Sequence, residues 1–332
     1  MQGIFQKENT DKALKYGIYR HLPTYEKIIR NLVSFYEGKR YYLPVVFEPQ
    51  ILLTSSVEFS KYSDDNAESK LTYDGVVTLN NNILKDRTNN RFFYDSEDYK
   101  RILLNYIDEH VDLYSQKCNF DSENFMESIT SLKEFCNSNE NKTDEIVPIF
   151  SVSGQYELFA LYDEIAAIDN DGDKPLITNM PNQDGAPIGK IMDAIFINNN
   201  SNNKQKILKF IKYALSEKVQ SDYCGANIKN YEPGTSWGTG WEYPVNNQSY
   251  DSLFNKAQAV KYIDNTTSVS ESDFMYAKNY IDKIKEYKLC GLYDYYNTEV
   301  IGSTVDKFLS GEFNKNKFLK ELKSRTEIYL DE

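Results

Sequence analysis

The sequence predicts a mixed α/β protein divided into two lobes. The chain has 332 residues, of which 40% are hydrophobic, so it can bury a substantial core and is too long for one ordinary domain. Short β-branched and aromatic runs alternate with longer segments of helical spacing. Two of the short runs, Arg40–Phe47 and Asp193–Ile197, are each followed by a change in sequence character. We expect these two strands to connect the lobes as a hinge.

The first predicted elements are a helix and a strand. Apolar residues recur at helical spacing within Leu22–Gly38, and Gly38 can end this helix in the left-handed conformation. The β-branched and aromatic run Lys39–Phe47 follows and predicts a strand. Pro44 lies inside this run, which indicates an edge position or a strand that changes partners.

A second helix is predicted over Phe120–Cys136, with Asp121 as its N-cap. One face of this helix carries an apolar stripe of Phe125, Ile129, Leu132 and Cys136. A short buried strand follows at Ile146–Val152, and Gly154 opens the next helix.

The segment "AAIDNDGDKPLITNMP" predicts a β-hairpin around residues 170–173. Its acidic residues raise the possibility of a calcium loop, which needs glycine at the sixth position and glutamate at the twelfth. Counted from Asp169, Gly172 is fourth and Met180 is twelfth, so the segment lacks the pattern of an EF-hand.

A strand at Asp193–Ile197, a run of asparagines and a long amphipathic helix form the next predicted unit. The helix is capped by Asn200 or Ser201 and buries a stripe that includes Ile207, Ile211 and Leu215. Its other faces carry lysines at 204, 206, 209 and 212. A basic amphipathic helix can bind membranes, but we interpret this face as solvated. From Glu271 onward the chain is predicted to be nearly all helical, with one helix ending at Gly311 and the last over Phe313–Glu332.

The charge of the chain argues against some classes of partner. The formal net charge is −12 and the pI is about 4.9, so the surface repels phosphate backbones and nucleic-acid binding is not expected. No apolar run approaches the roughly 20 residues needed to span a bilayer. The first residues, "MQGIFQKENTDKALKYG", lack an apolar core and a cleavage site, so no signal peptide is expected in this chain.

No metal, cofactor or catalytic motif is predicted. The four cysteines form no C-x-x-C pair, and the only histidines are His21 and His110. The sequence contains no H-E-x-x-H, Walker loop or G-x-G-x-x-G. Its one G-x-S-x-G match, "GTSWG" at 234–238, lies in a glycine-rich segment that precedes no predicted helix start, which the nucleophile motif requires. We therefore expect no metal site, no cofactor and no enzyme activity.

Five segments, taken together and in order, resemble the extracellular solute-binding proteins of bacterial ABC importers, the family that includes the maltodextrin binders. They are "EGKRYYLPVVFEP", "FDSENFMESITSLKEF", "NNNSNNKQKILKFIKYALSEKVQ", "YPVNNQSYDSLFNKA" and "FLSGEFNKNKFLKELKSRTEIYLDE". In this family many more residues precede the strand that resembles the first segment. The resemblance therefore implies that part of the N-terminal lobe is missing from this chain.

The resemblance implies a periplasmic-binding-protein-like two-lobed fold of type II. Residues 1–46 and 191–270 would belong to an incomplete N-terminal lobe, and residues 47–190 and 271–332 to the C-terminal lobe. It further implies a monomeric substrate-binding component that binds a small solute, most often a carbohydrate, in the cleft between the lobes. Its protein partners would be the permease subunits of the transporter, and its location extracellular, as a membrane-anchored lipoprotein.

Sugar recognition needs aromatic faces for stacking and carboxylates or amides for the hydroxyl groups. The resemblance implies a sugar-binding carboxylate at Glu48 and a stacking aromatic at Tyr156. The glycine-rich segment "YEPGTSWGTGWEYPVN" offers Trp237, Trp241 and Tyr231 as further ligand contacts. Each residue also has a structural alternative: a surface charge for Glu48, packing for Tyr156 and loop anchoring for the others.

Two other functions remain open on the sequence alone. The same fold can serve a sensory or interaction module without transport, which a fused or adjacent signalling partner would reveal. A carbohydrate-active hydrolase is the second alternative, but carboxylates are so common in this sequence that their presence does not indicate a glycosidase.

Overall fold

The computed structural model describes residues 35–36, 39–40, 42–63, 70–86, 89–112, 115–138, 146–152, 158–195, 201–224, 243–260, 262, 267–284, 286–289 and 294–331. Within these residues, the strands are β1 Phe35–Tyr36, β2 Lys39–Arg40, β3 Leu43–Ser55, β4 Asn90–Arg91, β5 Val111–Asp112, β6 Lys117–Cys118, β7 Val147–Pro148, β8 Pro175–Asn179, β9 Ile188–Ile195, β10 Tyr243–Pro244 and β11 Glu286–Leu289. The predicted helix over Leu22–Gly38 is wrong at its end, because β1 pairs with β2 as a short antiparallel ribbon.

The helices in the same residues are α1 Ser56–Ser60, α2 Tyr73–Lys85, α3 Ser96–Asp108, α4 Glu123–Asn137, α5 Leu158–Asn170, α6 Lys204–Ala214, α7 Glu217–Tyr223, α8 Asn247–Ala259, α9 Glu271–Ile281, α10 Gly302–Leu309 and α11 Lys315–Asp331. A single π-helical turn, Tyr296–Val300, precedes α10. The mixture of strands and helices is the predicted α/β class.

Packing divides the chain into two compact units. Unit 1 comprises Met1–Ile51, Ser153–Pro175 and Pro187–Cys290, and unit 2 comprises Leu52–Val152, Leu176–Ala186 and Gly291–Glu332. Helix α9, predicted to belong with the C-terminal end of the chain, packs in unit 1, where Phe274 stacks on Tyr162. The lobe limits given above stay a prediction.

The two strands predicted to connect the lobes lie side by side. Strand β3 pairs antiparallel with β9, so that Phe47 is opposite Ile191 and Glu48 is opposite Lys190. On its other side β3 pairs with β10, and β9 also pairs in parallel with β11. Strand β3 is thus central at Val46 and Phe47, where it pairs on both sides, whereas Pro44 is paired with Ala194 of β9. Pro44 adjoins a register shift in β3, and irregular positions of this kind are where a sheet accommodates proline.

Unit 1 has an aromatic core built on β3 and β10. The Phe47 ring lies 5.4 Å from that of Tyr243 and 6.4 Å from that of Tyr250, both measured between centroids. Tyr250 in turn packs on Phe254 of α8. Burial of these rings supplies apolar area and favourable ring geometry together, which fixes α8 against the sheet.

A buried hydrogen-bond network joins α7 to the start of α8. The Gln220 side chain accepts from the backbone N–H groups of Val245 (3.0 Å) and Asn246 (3.3 Å) and donates to the Ala214 carbonyl (3.3 Å). The Asn246 side chain caps α8 by accepting from Ser249 N and donates to the Leu215 carbonyl. Two of the segments that carry the family resemblance thus meet through their polar residues.

The predicted hairpin at residues 170–173 is wrong. Helix α5 continues to Asn170, and Gly172 then takes a positive φ of 80°. The Gly172 N–H donates to the Asp169 carbonyl and the Asp173 N–H to the Ile168 carbonyl, which closes the helix end in the manner of a Schellman motif. The glycine therefore ends a helix, and a strand, β8, follows it.

Unit 2 confirms two features of the sequence analysis. The predicted stripe of α4 is buried, although Ser122 rather than Asp121 caps the helix by accepting from Phe125 N. Gly311 adopts a φ of 81° just after α10, so this helix ends at the predicted place. The strand predicted at Ile146–Val152 is present as β7, with pairing that continues to Phe150, but β7 itself is exposed and not buried as predicted.

Two glycines with positive φ give a matched test of steric fit in the fold. A Cβ on Gly185 would lie 2.9 Å from the Lys70 Cβ and 3.2 Å from the Lys70 carbonyl carbon, whereas a Cβ on Gly172 would meet nothing within 4 Å. We expect Gly172→Ala to lower the free energy of unfolding by about 1 kcal/mol, from backbone strain alone. We expect Gly185→Ala to lower the free energy of unfolding by about 3 kcal/mol, because the backbone strain and the steric overlap with Lys70 add together. Urea unfolding of both variants measures the difference, and equal losses would contradict the packing around Gly185.

Candidate functional site

The predicted carboxylate, Glu48, lies inside strand β3 in unit 1. It is only 3% exposed, and every residue of β3 from Val46 to Thr54 is buried. An ionised side chain in such a position is costly unless opposite charge or hydrogen bonds compensate it. A surface charge, the structural alternative considered for Glu48, is therefore wrong.

The neighbours of Glu48 in the sheet make a polar stretch in an otherwise apolar strand. Lys190 of β9 is directly opposite Glu48, so the two side chains share one face of the sheet. Gln50 is two residues along β3 and also buried, and it therefore lies on the same face. A carboxylate, an amide and an ammonium group are thus placed together, a set that can both accept and donate hydrogen bonds.

Tyr243 adds a buried hydroxyl near this stretch. Burial, and then the negative charge of Glu48, raise the pKa of Tyr243 well above its usual value. The hydroxyl therefore keeps its proton at physiological pH and remains a donor. Among the described residues, it forms no hydrogen bond. Gln50, Lys190 and Tyr243 were not identified from the sequence, because only strand pairing brings them close to Glu48.

Unit 2 presents a second candidate at the end of a strand. Beyond β4 and β7, the parallel pairing continues through bonds from Ile149 N to the Arg91 carbonyl and from Phe150 N to the Phe92 carbonyl. Tyr94 directly follows this strand and is 65% exposed, between the buried Phe93 and the helix cap Asp95. An exposed aromatic at the carboxyl end of a strand is placed where α/β proteins bind ligands.

The other predicted contacts, Tyr156, Tyr231, Trp237 and Trp241, lie outside the described residues. In the sequence, Tyr156 comes four residues after Val152. Val152 is the last described residue of the segment that contains β7, the strand paired with β4. Their roles in binding stay predictions.

Neither a metal centre nor a membrane span is found in the part of the chain that the structure describes. In those residues, no group of three or more histidine, cysteine, aspartate or glutamate side chains is placed to hold a metal ion. The helices formed by the same residues are too short or too polar to cross a bilayer.

Comparison with known proteins gives a fold. No family model matches the sequence, and no curated protein matches it. Among solved structures, the sugar-binding protein MalE from Xanthomonas citri has a TM-score of 0.55 at 13% identity, and the alignment covers 92% of this chain and 74% of that one. A periplasmic oligogalacturonide-binding protein from Yersinia enterocolitica has a TM-score of 0.53 at 11% identity, covering 97% and 79%. The chain has the fold of periplasmic sugar-binding proteins.

This solute-binding-protein fold confirms the predicted fold class. A third structure, a cyclic α-maltosyl-1,6-maltose-binding protein from Arthrobacter globiformis, agrees, with a TM-score of 0.51 at 13% identity and coverage of 92% and 77%. All three are binding proteins by description. At these identities the likeness establishes the fold, while the ligand of this chain has to be argued from its own residues.

Proposed function

We propose that this chain is the substrate-binding component of an ABC importer and that its solute is a carbohydrate. The observation that carries the proposal is Glu48, a carboxylate buried in β3 beside Gln50 and Lys190, in a chain with the fold of sugar-binding proteins. A hydroxyl-rich ligand suits this set, because each sugar hydroxyl donates one hydrogen bond and accepts others. The chain itself performs no reaction on the solute.

The binding chemistry divides between polar and aromatic groups. Glu48 accepts hydrogen bonds from sugar hydroxyls, and these charge-assisted bonds contribute roughly 1.5–3 kcal/mol each. In unit 2, considered by itself, Tyr94 offers an exposed ring that can stack on the apolar face of a sugar. Tyr156 is proposed for the same role. Trp237, Trp241 and Tyr231 remain our candidates for further contacts.

We propose an extracellular location and a lipoprotein anchor for this protein. The Yersinia protein and a putative oligosaccharide-binding protein from Synechococcus sp. MITs9220 are both described as periplasmic. A solute-binding component delivers its cargo to membrane-embedded permease subunits, so these are the proposed protein partners. The chain is expected to act as a monomer.

A thermal-shift screen tests the proposed solute class. A ligand that binds only the folded chain raises its apparent stability, by about 2.7 kcal/mol when its concentration is a hundred times the dissociation constant. The screen should contain neutral oligosaccharides, oligogalacturonides, amino acids and polyamines. Stabilisation by a carbohydrate supports the proposal. Stabilisation by an amino acid or polyamine alone, with none by any sugar, contradicts it.

Replacement of Tyr94 by alanine tests the proposed stacking surface. We expect affinity for the stabilising sugar to fall about tenfold, since an aromatic contact contributes on the order of 1 kcal/mol beyond its buried area. Stability should change by less than about 0.5 kcal/mol, because the side chain is exposed. Tyr295→Ala is the matched control, since Tyr295 is also an exposed tyrosine of unit 2. Calorimetric titration that gives equal affinities for the two variants would remove Tyr94 from the site.

A further inference from the structure

Helix α6 of unit 1 exposes two large aromatic side chains among lysines. Phe210 is 58% exposed and Tyr213 is 65% exposed, and Lys206, Lys209 and Lys212 are exposed as well. We call these five residues the basic–aromatic face. The solvated face interpreted from the sequence accounts for the lysines and leaves the aromatics without an explanation.

The five residues form one continuous surface. At 100° per residue, they span roughly 160° of the helix circumference, with Lys209, Tyr213 and Lys206 at the centre. Ile211 and Leu215 point to the opposite side and are buried. The inward stripe of α6 is therefore packed at Ile211 and Leu215, whereas more than half of the surface of Phe210 and of Tyr213 is exposed to solvent.

The charge of this face is opposite to that of the whole chain. Helix α6 reads "KQKILKFIKYA" and contains no acidic residue, whereas the chain carries a formal net charge of −12. A local positive surface on an acidic protein is complementary to an anionic partner. Repulsion from distant carboxylates is weakened by salt, because the screening length is about 8 Å at physiological ionic strength.

The residue types favour a lipid surface over a protein surface. Protein interfaces are enriched in aromatics and arginine at their cores, and lysine is depleted there. Lysines attract anionic headgroups, and phenylalanine and tyrosine rings enter the membrane–water interface, so a surface that exposes both suits anionic lipid. We propose that the basic–aromatic face docks α6 onto a membrane surface that contains anionic phospholipid.

Co-sedimentation of the purified chain with vesicles tests this proposal. One set of vesicles contains phosphatidylcholine alone and the other contains phosphatidylcholine with phosphatidylglycerol. We expect binding to the anionic vesicles only, and loss of that binding when salt is added. The double variant Phe210→Ser, Tyr213→Ser should bind the anionic vesicles about tenfold more weakly than the wild type. Replacing the three lysines of the face with glutamine should reduce it roughly a hundredfold, because each lysine near an anionic surface contributes independently.

Two control variants separate the face from the rest of the surface. Ile328→Ser removes an apolar side chain that is 59% exposed on α11. The triple variant Lys85→Gln, Lys117→Gln and Lys320→Gln removes the same charge from exposed positions elsewhere. Both should bind vesicles as the wild type does, and all variants should keep its melting temperature, since each altered side chain is exposed. Equal binding to neutral and anionic vesicles, no binding to either, or an equal loss in the controls would overturn the proposal.

Discussion

Replacing Glu48 with alanine is expected to weaken carbohydrate binding by about a hundredfold. Two hydrogen bonds from sugar hydroxyls to a buried carboxylate contribute roughly 3 kcal/mol together, at the low end of the range for charged acceptors. The low dielectric around β3 strengthens such bonds relative to bonds in water. Calorimetric titration of wild type and variant with the sugar found in the thermal-shift screen measures the loss.

Glu48→Gln distinguishes two roles of Glu48: binding of the sugar, and a purely structural role opposite Lys190 in the sheet. The amide keeps the shape and one acceptor oxygen, so we expect affinity to fall about tenfold while the fold is retained. Glu109→Gln is the matched control, because that carboxylate of unit 2 accepts from Tyr73 and from the Gln183 backbone within the fold. Its loss should lower stability and leave affinity unchanged. Wild-type affinity in Glu48→Gln, together with reduced stability, would make Glu48 a structural residue.

The second large effect concerns stability. Gln220→Ala is expected to lower the free energy of unfolding by about 3–5 kcal/mol, because the N–H groups of Val245 and Asn246 lose their acceptor in a buried setting. The same change frees the Ala214 carbonyl at the end of α6. Urea unfolding, followed by circular dichroism, gives the shift in midpoint.

Two further variants decide whether the network or the loss of volume is responsible. Gln220→Met keeps most of the side-chain volume and removes both the acceptor and the donor, so it should lose nearly as much stability as the alanine variant if the hydrogen bonds are responsible. Lys218 is an exposed residue of the same helix. Lys218→Ala should therefore change the free energy of unfolding by less than about 0.5 kcal/mol. If Gln220→Ala behaves as Lys218→Ala does, the hydrogen bonds around α8 are not important for the fold.

Local patterns predicted some elements because one physical cause dominated each of them. The α4 stripe is set by helical spacing alone, and Gly311 ends its helix because it adopts the left-handed conformation without strain. Gly172 shows the limit of such reasoning. The same acidic and glycine-containing sequence suits a hairpin turn and a helix end, and only the burial of Ile165 and Ala166 in unit 1 favours the helix.

The candidate site was less accessible to sequence reasoning. Glu48 was found through resemblance to a family of binding proteins, not through its own neighbours. Gln50, Lys190 and Tyr243 approach it through the register of β3 with β9 and β10, and register joins residues that are far apart in the sequence. Tyr94 was missed for another reason: exposure distinguishes it from the many buried tyrosines, and composition does not reveal exposure.

The most direct test is a crystal structure of the chain with the oligosaccharide that stabilises it most. We predict that a Glu48 carboxylate oxygen lies about 2.5–3.0 Å from a sugar hydroxyl oxygen, the distance of a charge-assisted hydrogen bond. A sugar bound with its hydroxyls on other groups, and Glu48 still paired only within the protein, would contradict carbohydrate recognition through the β3 carboxylate.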